Sequence, residues 1–255
     1  MAVSVKSERE IELMRESGRI LGEVHEKLKE FIRPGISTLE IDIEGEKLIR
    51  SYDCIPNFLH YNGFPGSVCV SINDEVVHGI PRKNRILKEG DILSVDVGAI
   101  LDGYQSDACR TYMVGEVAPE VEALVRHTEK SFWIGLEYAK AGMRTGDIGY
   151  AIQDYCEGLG YGVVRELTGH GIGTTMHQDP DVPNYGRPGH GYKLKKGMAI
   201  CIEPMITLGT REIELLGDQW TIVTQDGKPA SHYENTILIT DEGPYLTTYD
   251  YEEGF

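Results

Sequence analysis

Four carboxylates in this chain sit where carboxylates are costly. Asp96 interrupts the apolar run Ile92 to Ile100, and Glu203 closes the apolar run Met198 to Ile202. Asp107 and Glu234 fall inside strand-like stretches, Tyr104 to Tyr112 and His232 to Thr240. An unpaired charge in such surroundings is expensive to bury, and the alternation around Asp96 is too poor to put it on a solvated sheet face. Brought together, the four would repel one another, and two divalent cations would offset that repulsion. The chemistry this points to is cation binding. A nitrogen ligand would complete the set. His170 and His177 lie in LTGHGIGTTMHQDP, where Gly169, Gly171 and Gly173 let the backbone pass close to a ligand or another strand, and His78 lies in a second His-Gly-Ile, VVHGIP. The other five, His25, His60, His127, His190 and His232, sit singly in polar surroundings and are expected to be surface or hydrogen-bonded residues. The glycine stretch does not satisfy G-x-G-x-x-G, and H-E-x-x-H, G-x-S-x-G and Walker loops are missing from the sequence.

The carboxylates need strands to position them. Asp102-Gly103 is a two-residue hairpin signal between Ser94–Ile100 and Tyr104–Tyr112. With that turn, Leu101 pairs Tyr104 and Asp96 falls opposite Cys109. Asp107 then shares a face with Asp96 as a diagonal neighbour, roughly 7–8 Å away at the backbone. Asp226-Gly227 is a further hairpin signal ahead of the strand carrying Glu234. A shift of 107 positions lays LKEGDILSVD (Leu87 to Asp96) over LKKGMAICIE (Leu194 to Glu203), and PGISTLEI (Pro34 to Ile41) over AGMRTGDI (Ala141 to Ile148). Each half then reads helix, helix, strands. The helices are expected over Glu8–Glu30 and Thr38–Ser51, then Val121–Ala139 and Thr145–Leu159, the second of each pair starting on Thr with an acid two residues on. The expected class is α+β, with two antiparallel sheet halves facing inward under a layer of helices.

The whole chain has 41 acidic against 25 basic residues, a formal charge of −16, which argues against nucleic acid or an anionic membrane as a direct partner. The sequence lacks an apolar h-region near its start and any apolar run near the ~18 residues a membrane span requires. Its five cysteines, Cys54, Cys69, Cys109, Cys156 and Cys201, form no C-x-x-C pair, which fits a reducing cytoplasm.

The segments VVHGIP, SVDVGAILDGYQSDACRTY, TGHGIG with MHQDP, CIEP and HYENTILIT resemble, in order and across essentially the whole chain, the methionine aminopeptidases of type I. The resemblance implies a pita-bread fold, two pseudo-symmetric halves (about 1–112 and 113–255) forming a single catalytic domain around a dinuclear site. It implies Asp96, Asp107, His170, Glu203 and Glu234 as metal ligands for two divalent ions, among Co, Mn, Fe or Zn. Glu203 would also relay a proton, and His78 and His177 would steady the scissile carbonyl. A pocket for the methionine side chain maps onto Phe58, Tyr61, Phe64, Cys69, Met176 and Trp220, with Met176 standing where an aromatic is often found. The implied reaction is removal of the initiator methionine from nascent chains before a small second residue, by a monomer that could work near the ribosome. Only 30 residues separate Glu203 from Glu234, too few for the type II insertion, and the N-terminal zinc-binding extension of eukaryotic members is not seen, so bacterial type I is the best likeness. Met1 precedes Ala2, so the mature protein is expected to begin at Ala2. Two alternatives remain: an Xaa-Pro aminopeptidase or prolidase of the same fold, and a catalytically inactive peptide-binding relative.

Overall fold

Local sequence starts each helix. In the computed structural model, which describes residues 3–249, helix α1 spans Glu8–Phe31, α2 Thr38–Ser51, α3 Pro119–Leu136 and α4 Thr145–Gly158. Met1 and Ala2, on which the trimming expectation falls, lie outside the described residues. Ser7 and Ser37 cap α1 and α2, and Glu10 and Glu40 accept the serine N–H in return, at 2.7 and 2.8 Å. The caps of α2 and α4 are thus Ser37 and Arg144, one residue ahead of the threonines, and Asp147 accepts the Arg144 N–H at 2.7 Å. Helix α3 starts and ends earlier than its periodicity indicates. Pro119 fits the first turn, where its missing N–H is not needed.

The strands, in chain order, are β1 (Ile55–Pro56), β2 (Val68–Ile72), β3 (Glu75–Val77), β4 (Ile92–Leu101) and β5 (Tyr104–Met113). The second half adds β6 (Gly162–Val163), β7 (Gly169–Gly171), β8 (Gln178–Val182), β9 (Ala199–Ile202) and β10 (Met205–Thr207). Then come β11 (Ile213–Leu215), β12 (Ile222–Thr224), β13 (Ala230–His232), β14 (Glu234–Ile239) and β15 (Pro244–Leu246). The main sheet runs β1-β4-β5-β14-β9-β7-β8, with β2 also on β4 and β15 also on β14; every pairing is antiparallel.

Asp102 and Gly103 both take positive φ, 49° and 84°, the two left-handed positions of a tight hairpin turn. Leu101 pairs Tyr104 and Asp96 pairs Cys109, the register expected. Asp226-Gly227 behaves differently. It is a turn, but the strands it joins do not pair with each other: β12 lies between β11 and β3, while β13 pairs β10. A turn signal specifies a local reversal, and pairing is decided by which edge is available. The strand expected over His232–Thr240 is also broken at Tyr233, whose N–H turns to Pro204 O at 3.2 Å.

Alternation along β4 separates core from site. Leu93, Val95, Val97 and Ala99 join Leu21, Val24 and Leu28 of α1 in one buried cluster, while Asp96 points to the opposite face. In the second half, Ile200, Ile202 and Ile237 pack with Phe132 of α3 and Ile148 and Ile152 of α4. The helices therefore cover one face of the sheet. The 107-residue offset recurs in the backbone: Gly35 N–H donates to Leu87 O at 2.8 Å and Gly142 N–H to Leu194 O at 3.0 Å, and the bridges Ser37–Ile86 and Arg144–Lys193 are related in the same way.

Candidate metal centre

On the face away from the helices, neighbouring strands bring the carboxylates into register. Asp96 on β4 is opposite Cys109 on β5, and Cys109 is in turn opposite Glu234 on β14. Asp107 lies one row along, two residues before Cys109, and Glu203 follows directly on β9, whose last residue Ile202 pairs Asn235. Residues two apart on a strand share a face, so Asp107 sits beside Asp96 and Glu234 as the hairpin requires. One oxygen from each of Asp96, Asp107 and Glu234 lies within a 4.8 Å group. His170, in the middle of β7, approaches from the far side, its Nε2 3.7 Å from Glu203 Oε1. The structure thus brings all five candidate ligands to one place.

The donor set fits divalent cations. Among the described residues, Asp96 Oδ1 and Asp107 Oδ1 are buried without a hydrogen-bond partner, and no lysine or arginine forms an ion pair with any of the four carboxylates. Burial is the first cause that raises each carboxyl group above its ordinary range. It takes Asp96 up to about 7 and drives Asp107, Glu203 and Glu234 well upward, with the charges of the neighbouring carboxylates adding to it for these three. Cations would reverse that penalty by favouring the charged forms. The imidazole is prepared in the opposite sense. His170 Nδ1–H donates to Gly171 O at 2.9 Å, leaving Nε2 as the lone-pair nitrogen facing Glu203, and burial lowers its pKa to about 4, so it is neutral.

The ligands form one wall of a cavity of about 280 Å³. Phe58, Phe64, Cys69 and Met176 form a buried apolar cluster there, with Tyr61 and Trp220 packed against it, so the six expected pocket residues do meet. Ile80, which follows His78-Gly79 directly in VVHGIP, packs against the same cluster, and only the fold brings it there. His78 and His177 both line this cavity. The Tyr61 hydroxyl lies 2.9 Å from His177 Nδ1, and the His177 ring is 4.3 Å from that of His170, centroid to centroid. His78 holds a left-handed backbone, φ 58°, with its ring edge-on to Trp220. Burial, with the nearby His177 adding to it, lowers His78 to about 4; burial also lowers His177, which keeps solvent-accessible surface at the mouth.

One expectation is overturned. His232 is neither a surface residue nor a satisfied one: it is 2% exposed, lines the cavity, and its Nε2 is buried without a hydrogen-bond partner. It precedes Glu234 by two positions, across the break at Tyr233 that parts β13 from β14, and both side chains reach the cavity. That spacing was the available signal, masked by the polar letters around it. Arg110 was also missed. From the opposite face of β5 it donates to Glu234 O at 2.5 Å, to Asn235 Oδ1 at 2.7 Å and to Thr248 O at 3.0 Å, which fixes the backbone under Glu234. Asn184 does the same for Glu203, donating to its carbonyl at 2.9 Å.

The model of metallopeptidase family M24 matches residues 12–241. A methionine aminopeptidase of Clostridium acetobutylicum is 52% identical over 246 residues, which cover 96% of this chain and 98% of that protein. The solved methionine aminopeptidase of Thermotoga maritima superposes with a TM-score of 0.96 at 39% identity, covering 98% of this chain and all of that one. An Xaa-Pro dipeptidase of Bacillus anthracis is more distant, at a TM-score of 0.75 and 25% identity, with 96% of this chain covering 62% of that one. These likenesses bear out the pita-bread fold expected for the chain.

Proposed function

This chain belongs to metallopeptidase family M24, and from that premise we propose that it removes N-terminal methionine from peptides and newly made proteins whose second residue is small. The observation that carries the reading is the junction of two unlike surfaces: a cluster of four carboxylates, without a lysine or arginine ion-pair partner among the described residues, forms one wall of a small apolar cavity. At about 280 Å³, the cavity lies just below the ~300–1,000 Å³ typical of small-molecule sites, which suits one terminal residue better than a run of peptide.

Asp96, Asp107, His170, Glu203 and Glu234 would hold two divalent cations, drawn from Co, Mn, Fe or Zn. Cations held there would supply Lewis-acid chemistry, making a water more acidic and favouring the free α-amine of a chain terminus. Phe58, Tyr61, Phe64, Cys69, Met176 and Trp220 receive the methionine side chain, with the Met176 thioether filling space an aromatic could occupy. The Glu203 carboxylate takes the proton of the attacking water and passes it to the departing amide nitrogen. His78 and His177, neutral at pH 7, each offer an N–H to the carbonyl oxygen as it gains charge.

We further read the chain as one catalytic domain of two related halves, about 1–112 and 113–255, a reading supported by the hydrogen bonds that recur at an offset of 107. It works as a monomer on nascent chains in the cytoplasm, near the ribosome. The five buried, unbridged cysteines and the charge of −16 support a reducing compartment without direct nucleic-acid contact, and no helix among the described residues is long and apolar enough to cross a membrane.

The test is peptide hydrolysis. Met-Ala-Ser and Xaa-Pro peptides are offered to the metal-free chain with each metal in turn, with and without chelator. Release of methionine from Met-Ala-Ser, abolished by chelator and by Glu203→Ala without loss of fold, is expected. Preferential cleavage of Xaa-Pro peptides would establish the prolidase alternative, and wild-type turnover in Glu203→Ala would overturn the role of that residue.

A further inference from the structure

His232 is held as firmly as the five ligands are. Its N–H donates to Thr111 Oγ1 at 3.0 Å and its carbonyl accepts from the same hydroxyl at 2.8 Å, while β13 pairs it with Met205. The ring is aimed between two carboxylates: Nε2 lies 3.8 Å from Glu203 Oε2 and 3.9 Å from Glu234 Oε2. Those separations are too long for hydrogen bonds. They suit a different relation. Two donor atoms bonded to one cation at ~2.0–2.2 Å can lie no more than ~4.4 Å apart. Both His232 distances fall inside that limit, as does the 3.7 Å between His170 Nε2 and Glu203 Oε1. Each oxygen of Glu203 therefore faces an imidazole of its own, His170 on one side and His232 on the other.

Resting on the cation-binding reading above, we propose that His232 supplies a second imidazole to the metal centre, so that each of the two cations takes one histidine nitrogen. The donor set is then four carboxylates and two imidazoles. That is softer than four and one, and it favours Zn, Fe or Co over Mn and Mg.

The metal-free chain is titrated with Co(II), following heat and the visible absorption of the bound ion, for wild type, His232→Gln and Glu234→Gln. The wild-type chain is expected to bind two equivalents. In His232→Gln, one equivalent should weaken by at least the ~10–100-fold typical of losing a supporting group, and its absorption should change, while the other stays as in wild type. X-ray absorption of the cobalt-loaded wild-type chain is a second measurement that needs no variant. It should count about one imidazole nitrogen per cobalt, where a single-histidine centre gives about one for every two. Two unaltered equivalents in His232→Gln, or the lower imidazole count, overturn the assignment of His232 alone. If wild type bound no cation and Glu234→Gln changed nothing, the metal-centre reading itself would fall with it.

Discussion

At the scale of single residues, most of the site's chemistry follows from burial. His177 is set by the Tyr61 hydroxyl at 2.9 Å and faces the cavity beside His170. Removing an oxyanion donor typically costs ~10²–10³ in rate. His177→Ala should therefore lower kcat on Met-Ala-Ser by about that factor while the metal stoichiometry is kept; a kcat within a few-fold of wild type would remove His177 from the reaction. His25 shows the same physics away from the site. Its Nε2–H donates to Ala108 O at 2.9 Å, Nδ1 faces the Tyr112 hydroxyl at 3.0 Å, and burial lowers its pKa to about 3. A depressed histidine pKa means the unfolded chain binds the extra proton first as pH falls. The contribution is complete above about pH 6.5 and is lost as pH drops through that value toward 3. In urea unfolding, the lead of wild type over His25→Gln should shrink by ~1.4 kcal/mol per pH unit below 6.5. A lead that stays constant between pH 7 and 5 would show that His25 does not titrate this way.

At the scale of elements, β7 is the piece with least room. It is a Gly-His-Gly strand pressed between β8 and β9, and a Cβ added at Gly169 would come 2.3 Å from Cys201 O, one added at Gly171 2.4 Å from Asp179 O. The glycines let the backbone pass so closely that His170 can reach across to Glu203. Gly171→Ala should cost ~1–3 kcal/mol, the usual penalty of overpacking, and should also weaken metal binding, because the strand cannot yield without moving His170. Thermal unfolding with and without metal would check both; a stable variant that keeps its metal would mean the sheet gives way elsewhere. The tight spacing of glycines around His170 was legible in the sequence. Which backbone they accommodate was not, since Cys201 and Asp179 arrive from other parts of the chain.

For the whole molecule, placing the core on the helix side of the sheet leaves the opposite face free to carry charge at its centre. Four mutually repelling carboxylates are a burden on the metal-free fold, and cations that bind only the folded chain should stabilise it. At a hundred times the dissociation constant, that linkage adds about 2.7 kcal/mol. For a domain of this size the midpoint of thermal unfolding should rise by roughly 5–10 °C, and chelator should reverse the change. An unfolding midpoint indifferent to divalent metal would argue against cation binding at this centre. Two cations would offset only four of the charges behind the −16, so most of the acidic excess belongs to the surface and serves solubility.

What the sequence determined by itself was local or periodic. Apolar spacing and the threonine-acid starts placed the helices within a few positions, Asp102-Gly103 set the register of Asp96 against Cys109, and strand alternation put Asp107 on the same face. The family's motifs then pointed to the five candidate ligands, because each motif is a short run contiguous in the chain. Tertiary structure decided everything that depends on which edge meets which. It separated β12 from β13 despite the turn between them, and it packed Ile80 against the apolar cluster behind the pocket residues. It also buried His232 between Glu203 and Glu234 instead of leaving it on the surface. Periodicity says which residues share a face, but only the packing of distant strands says what that face encloses.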